Sequence, residues 1–231
     1  MPSFIIKYHQ RVTLSIDIFY VQGIPFFHSI SRKIKFRAAT AIPDRTKGTL
    51  LTATNQVIRL YQSRGFIVND IHGDNEFECL RNDIDPGIHL ETVAQDDHVD
   101  EVERDIRTLK EGTRAATHGI PYKRLPTVVI KEVVYHAIRS LNQFPAADGI
   151  SKTMSPLSIV TGANTPDYNN MKVDIGQYVQ VFEDRTITNT TAARKIGAVA
   201  LSATPNQSGF YKFMNLNTGH ILKKKQFTII P

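Results

Sequence analysis

The feature that most constrains the fold is the short apolar run FIVNDI at residues 66–71. Nearly continuous apolar character over so few residues is the pattern of a strand buried on both faces in a parallel sheet. The run follows residues 46–62, where Leu50, Leu51, Thr54, Val57, Ile58 and Tyr61 share one helical face and Arg64-Gly65 marks the end. Upstream, VTLSIDIFYV at 12–21 alternates Val12, Leu14, Ile16 and Ile18 against Thr13, Ser15, Asp17 and Phe19, which predicts a strand. A turn at Gln22-Gly23 leads into IPFFHSIS and IKFRAATAI, so the opening reads as a three-stranded antiparallel meander. Asp17 stands mid-strand, where aspartate is disfavoured unless solvated or given a role.

The strand at 66–71 runs straight into His72-Gly73-Asp74-Asn75. Acid at the C-terminal end of a parallel strand is where α/β folds place their sites, whereas Gly-Asp-Asn is also an ordinary turn. Both readings of Asp74 stay open, and Asp70 is the alternative acid. A short helix at 77–83, a turn at Asp85-Pro86-Gly87 and a strand IHLETVA follow.

Residues 96–118, DDHVDEVERDIRTLKEGTRAATH, predict a long helix with Asp96 or Asp97 as N-cap and acid in its first turn. Val99, Val102, Ile106, Leu109 and Ala116 form its apolar stripe, and Glu103, Arg107, Lys110 and Arg114 lie in a row beside it. Alone, that row is a solvated face whose ion pairs contribute roughly 0.2–0.5 kcal/mol each. The order βββ-α-β-α-β-α is that of an RNase H-like mixed sheet with flanking helices, an α/β class. In it, Asp17 and Asp74 come from neighbouring central strands and Glu103 from the later helix.

A further helix at 127–141 is apolar at Ile130, Val133, Val134, Ala137, Ile138 and Leu141, a face wide enough for the core or a second copy. Residues 145–170 read as a linker with a short helix in SPLSIVTGANTPDY. From 171 onward, IGQYVQVFE, KIGAVALSA, GFYKFMNL and HILKKKQFTII predict short strands with turns at Pro205-Asn206, Ser208-Gly209 and Asn217-Thr218-Gly219. That is a small all-β, barrel-like module, filled by Tyr178, Phe182, Phe210, Tyr211, Phe213 and Phe227 with some rings left to stack. The chain therefore divides into a core at 1–144, the linker at 145–170 and the module at 171–231.

Charge narrows the function. Residues 70–105 hold thirteen of the 22 acidic residues against Arg81 and Arg104, while 171–231 hold eight Lys or Arg against Asp174, Glu183 and Asp184. Carboxylates for cations beside cations for phosphates suit a metal-dependent enzyme acting on a polyanion. Lys223, Lys224 and Lys225 fit a nucleic-acid surface as well as a solubilising edge strand. Cys79 is the only cysteine, which excludes an internal disulfide and a thiolate-rich zinc site, and no apolar stretch is long enough to span a membrane. No secretory leader is evident, so the sequons at Asn189 and Asn206 carry no weight and an intracellular protein is expected.

Two unit charges about 4 Å apart repel by roughly 4 kcal/mol at an effective dielectric near 20. Three carboxylates that meet therefore need cations, and two Mg²⁺ (or Mn²⁺) ions would serve a phosphodiester displacement. Arg107 and Lys110, one and two turns beyond Glu103, would then point at phosphates.

The chain resembles the integrase of copia-type LTR retrotransposons, in particular the branch found in diatoms and other algae. The resemblance is carried by Ile16-Asp17-Ile18-Phe19 with GIPFFHSIS, RGFIVNDIHGDNEFECLRND, His98 with EVERDIRTLKEGTRAATHGIPYKRLP, SPLSIVTGANTPDY, GQYVQVFE, RKIGAVAL and GFYKFMNLNTGHILKKKQFTIIP, and covers about residues 12–231. It implies an RNase H-like core whose catalytic and metal-binding D, D, E triad is Asp17, Asp74 and Glu103. DNA-binding positions would be Arg107, Lys110 and Arg114, with Lys223, Lys224 and Lys225 in a Src-homology-like terminal barrel. Twenty-eight residues separate Asp74 from Glu103, a shortened spacing for the family, and its zinc-binding His/Cys module is not found ahead of Asp17.

The expected activity is transfer of element DNA 3′ ends to target DNA, with DNA as partner, a homo-oligomer as the working state and the nucleus as its place. The alternatives are a non-catalytic nucleic-acid-binding remnant of a retrotransposon polyprotein and an RNase H-like nuclease that cuts without joining.

Overall fold

The computed structural model describes residues 3–93, 100–163, 171–182, 191, 193–204 and 209–230. Two compact units are present, one of residues Met1–Gly112 and Ala137–Pro166, the other of Thr113–His136 and Asp167–Pro231. No helix among the described residues is long and apolar enough to cross a membrane.

The first unit is built on a five-stranded sheet of order β3-β2-β1-β4-β5. Its strands are β1 (Arg11–Val21), β2 (Ile24–Ser31), β3 (Arg37–Ala41), β4 (Ile67–Asp74) and β5 (His89–Val93). The first three pair antiparallel, as the meander requires, while β4 runs parallel to β1 and β5 parallel to β4. With α2 (Lys47–Gln62) crossing between β3 and β4 and α3 (Asp100–His118) following β5, this is an RNase H-like mixed sheet with flanking helices.

Alternation along β1 sorts its side chains. Val12, Leu14 and Ile16 enter the core formed with Leu50, Val57, Ile58 and Tyr61 of α2, whereas Thr13, Ser15, Asp17 and Phe19 take the opposite face. Burial of each such large apolar side chain contributes about 1.5–3 kcal/mol. The segment expected as a helix at 77–83 is a 3₁₀ helix over Asn75–Leu80, and it too sends Phe77 and Leu80 into this core. Sequence reading assigned no element to the N-terminus, yet α1 (Ser3–His9) buries Ile5 there.

Residues 150–160 also belong to this core. Ser155 Oγ accepts the Ser158 amide at 3.0 Å, Pro156 starts α5 (Pro156–Thr161), and Gly162 ends it at φ 72°. Ile159 and Val160 are fully buried among the core residues, with Ile150, Met154 and Leu157 beside them, a packing role that a linker reading does not supply.

The second unit holds a five-stranded antiparallel sheet of order β10-β6-β7-β8-β9. Its strands are β6 (Tyr178–Phe182), β7 (Lys195–Ala203), β8 (Tyr211–Asn215), β9 (Ile221–Lys224) and β10 (Phe227–Ile229). One face packs Val179, Val181, Ala198, Ala200, Tyr211 and Phe213, with Phe227 against both Tyr211 and Phe213. Tyr178, Phe182 and Phe210 stay more than a third exposed, so only part of the expected aromatic set fills the module. The other face, Val199, Leu201 and Met214, is covered by Ile120 and by Val129 and Val133 of α4 (Thr127–Gln143). Residues 113–136, which sequence reading keeps with the first domain, thus make part of the second unit's core.

Candidate active site

Asp17 lies in β1 in register with His28 of β2. Its Oδ1 accepts the Ile18 amide at 2.6 Å. Burial chiefly pushes the Asp17 carboxyl above its ordinary value. The Ile18 amide and His28 work against the rise, and the nearby Asp74 and Glu103 carboxylates add to it.

Asp74 is the last residue of β4, and its Oδ1 caps the 3₁₀ helix by accepting the Asn75 amide at 2.6 Å. It therefore makes the turn that the sequence allowed and still bears on Asp17. The register explains why. Ser15 pairs with His72, so two residues further on the same face Asp74 comes level with Asp17. On the opposite, core face Gly73 lets Ile16 and Phe77 close against the strand end, since a Cβ there would lie 3.0 Å from both Ile16 Cγ1 and Phe77 Cδ2. The alternative acid, Asp70, pairs with Thr13, four residues or about 13 Å from Asp17 along β1. Its carboxylate faces Thr13 Oγ1 at 3.5 Å and His89 Nδ1 at 4.0 Å.

Glu103 is exposed on α3, flanking the buried stripe of Val102, Ile106 and Leu109. The expected N-cap at Asp96 or Asp97, together with His98 and Val99, lies outside the described residues. Arg107 is exposed and Lys110 half-buried on the Glu103 flank. Arg114 is exposed one turn further on, within the second unit. Lys223, Lys224 and Lys225 also belong to the second unit: Lys223 is exposed opposite Lys212, Lys224 lies opposite Tyr211, and Lys225 is exposed beyond β9.

Asp74 and Glu103 thus both act to raise the Asp17 carboxyl, whereas Asp70 lies about 13 Å from it along β1. Three oxygen donors with no sulfur or imidazole among them match a hard cation such as Mg²⁺ in chemistry. Among the described residues, no three His, Cys, Asp or Glu side chains converge as they stand on one point close enough to hold an ion.

Sequence reading missed a buried polar cluster beside this site. Asp105 of α3 accepts His28 Nε2 at 2.9 Å on Oδ2 and Arg37 Nε at 2.7 Å on Oδ1. His28 is fully buried, its Nδ1 lies 3.1 Å from the Ala38 carbonyl, and its ring meets Phe19 edge-on at 5.9 Å. Burial would raise the Asp105 carboxyl, but the bonds from His28 and Arg37 prevail and hold it below its ordinary value. One signal was available: Asp105 borders the apolar stripe and stands between Val102 and Ile106 in the sequence.

The sequence matches no protein-family model and no curated protein. Among solved structures it is similar to the catalytic core domain of BIV integrase, in crystal form I, at 19% identity and a TM-score of 0.46, covering 65% of this chain and 93% of that one. It is likewise similar to the HTLV-2 integrase catalytic core domain in complex with magnesium, in its trimeric form, at 16% identity and a TM-score of 0.46, covering 64% of this chain and 95% of that one.

Proposed function

We propose that the chain is a retroelement integrase of the copia type, a polynucleotidyl transferase that joins element DNA 3′ ends to target DNA. The observation that carries this reading is the parallel β1–β4 register that brings Asp74 level with Asp17, where Asp74 and Glu103 add to the field on the buried Asp17 carboxyl. Such a field is costly unless a cation answers it. In this reading Asp17, Asp74 and Glu103 hold two Mg²⁺ or Mn²⁺ ions. Cations held by these three carboxylates would ease ionisation of an attacking 3′ hydroxyl and offset charge on the leaving oxygen. Arg107 and Lys110 receive phosphates near the scissile bond, with Arg114 continuing the row. Lys223, Lys224 and Lys225 add contacts indifferent to sequence. The working protein is a homo-oligomer acting in the nucleus.

The test is incubation with a labelled element-end duplex and Mg²⁺, which yields joined products longer than the substrate. Asp17→Asn or Glu103→Gln abolishes joining while DNA affinity stays nearly unchanged; joining that survives either change rejects the triad. Shortened products alone indicate a nuclease.

A second reading, a non-catalytic DNA-binding remnant, is favoured by the lack of a closed three-ligand group among the described residues. It predicts salt-sensitive DNA binding with no joined product at any Mg²⁺ concentration.

A further inference from the structure

We propose that Asp105 is a positioning residue for Glu103: gripped by His28 and Arg37, it sets the rotation of α3 that turns Glu103 toward Asp17. This rests on the metal-site reading of Asp17, Asp74 and Glu103 and deepens it.

Residues two apart on a helix stand about 200° apart around its axis. With the stripe of Val102, Ile106 and Leu109 buried between them, Asp105 and Glu103 occupy opposite flanks of α3. The Asp105 flank is gripped twice, one turn apart. Lys35 Nζ donates to Glu101 Oε1 at 2.7 Å, and His28 Nε2 and Arg37 Nε hold both Asp105 oxygens at 2.9 and 2.7 Å. The other flank carries Glu103, Arg107 and Lys110, and Glu103 is the residue whose charge reaches Asp17.

His28 makes the grip directional. Its Nδ1 faces the Ala38 carbonyl, which can only accept, so Nδ1 carries a hydrogen. Its Nε2, across the ring, lies 2.9 Å from Asp105 Oδ2. The ring is thereby fixed in orientation, and the same residue is the register partner of Asp17. One buried side chain thus joins the strand bearing the first acid to the helix bearing the third. Buried charges of this kind add little net stability compared with apolar packing, and their best-attested use is to specify one arrangement over another. An apolar stripe alone tolerates small rotations, whereas slippage by one residue turns α3 by about 100° and carries Glu103 off its flank.

The test measures Mn²⁺ affinity of the full chain by electron paramagnetic resonance, independently of strand transfer. Asp105→Asn weakens Mn²⁺ binding by about tenfold or more, the range expected for loss of a residue that orients a ligand. Placed on Glu103→Gln, the same change costs less than about twofold, because the residue it orients is already gone. His28→Asn, too short to reach Asp105, gives the same pattern and serves if Asp105→Asn fails to fold by circular dichroism. Arg37→Lys, which keeps a cation on Oδ1, retains most of the affinity. Equal losses with and without Glu103, or no loss at all, overturn the proposal while leaving the metal reading intact. Absence of Mn²⁺ binding by the unaltered chain overturns the metal reading and this proposal with it.

Discussion

Asn142 brackets the backbone of Arg37. Its Oδ1 accepts the Arg37 amide at 2.9 Å, and its Nδ2 donates to the Arg37 carbonyl at 2.7 Å. Because β3 is an edge of the first sheet, a buried amide from α4 supplies both bonds that a neighbouring strand would otherwise make. Asn142→Ala leaves two backbone groups unpaired and destabilises the chain by about 2 kcal/mol. Urea unfolding measures the loss, and faster hydrogen exchange at the Arg37 amide localises it.

The Asp17 carboxyl is raised in the folded chain, so its contribution is fullest at low pH and is lost as pH rises through the folded value. Asp17→Asn therefore raises the thermal midpoint near neutral pH by a few degrees. The gain disappears below about pH 4, where the unfolded carboxyl is also protonated. Asp105 is lowered and has the opposite sign: its contribution is present at neutral pH and is lost as pH falls through its depressed value. Midpoints of the two Asn variants, followed across pH by calorimetry, should slope in opposite directions. Adding Mg²⁺ should shrink the advantage of Asp17→Asn alone.

Much of the sheet was legible because the first half of β1 sets Thr13, Ser15 and Asp17 on one face against Val12, Leu14 and Ile16 on the other, which makes period two visible. The stripe of α2 was legible for the same reason at period 3.6. The grouping of Asp17 with Asp74 followed from strand order, since a parallel β4 beside β1 brings their ends level. Pairing across 77 residues was not legible: nothing local in the sequence ties His28 to Asp105. Nor was α1, which is too short to be stable by propensity and owes its place to Ile5 in the core. The cover that α4 gives the second sheet was open for a like reason, because a wide apolar helix face does not name its partner.

Glu132, 4% exposed, accepts Ser202 Oγ at 2.6 Å and Lys212 Nζ at 2.7 Å. Glu132→Leu strands a hydroxyl and an ammonium and costs about 3 kcal/mol, the low end for a broken buried pair because Lys212 keeps some exposure to solvent. Adding Lys212→Leu recovers part of the loss. Calorimetry on the single and double variants checks both steps.

Lys223, Lys224 and Lys225 lie along and just beyond β9, with Lys223 and Lys225 exposed. If they meet phosphates, replacing all three with Ala flattens the log–log dependence of DNA affinity on salt by about 0.9 for each phosphate no longer neutralised. The weakening is the same for unrelated duplex sequences. Fluorescence anisotropy over a salt series measures it, and an unchanged slope removes these lysines from the interface.

The apolar cover that Ile120, Val129 and Val133 give to Val199, Leu201 and Met214 has a practical consequence. A protease nick between residues 145 and 170 severs the backbone without parting the pieces, because the upstream fragment still clasps the downstream sheet. A polypeptide begun at residue 171 lacks that clasp, presents three bare aliphatic side chains to water, and self-associates.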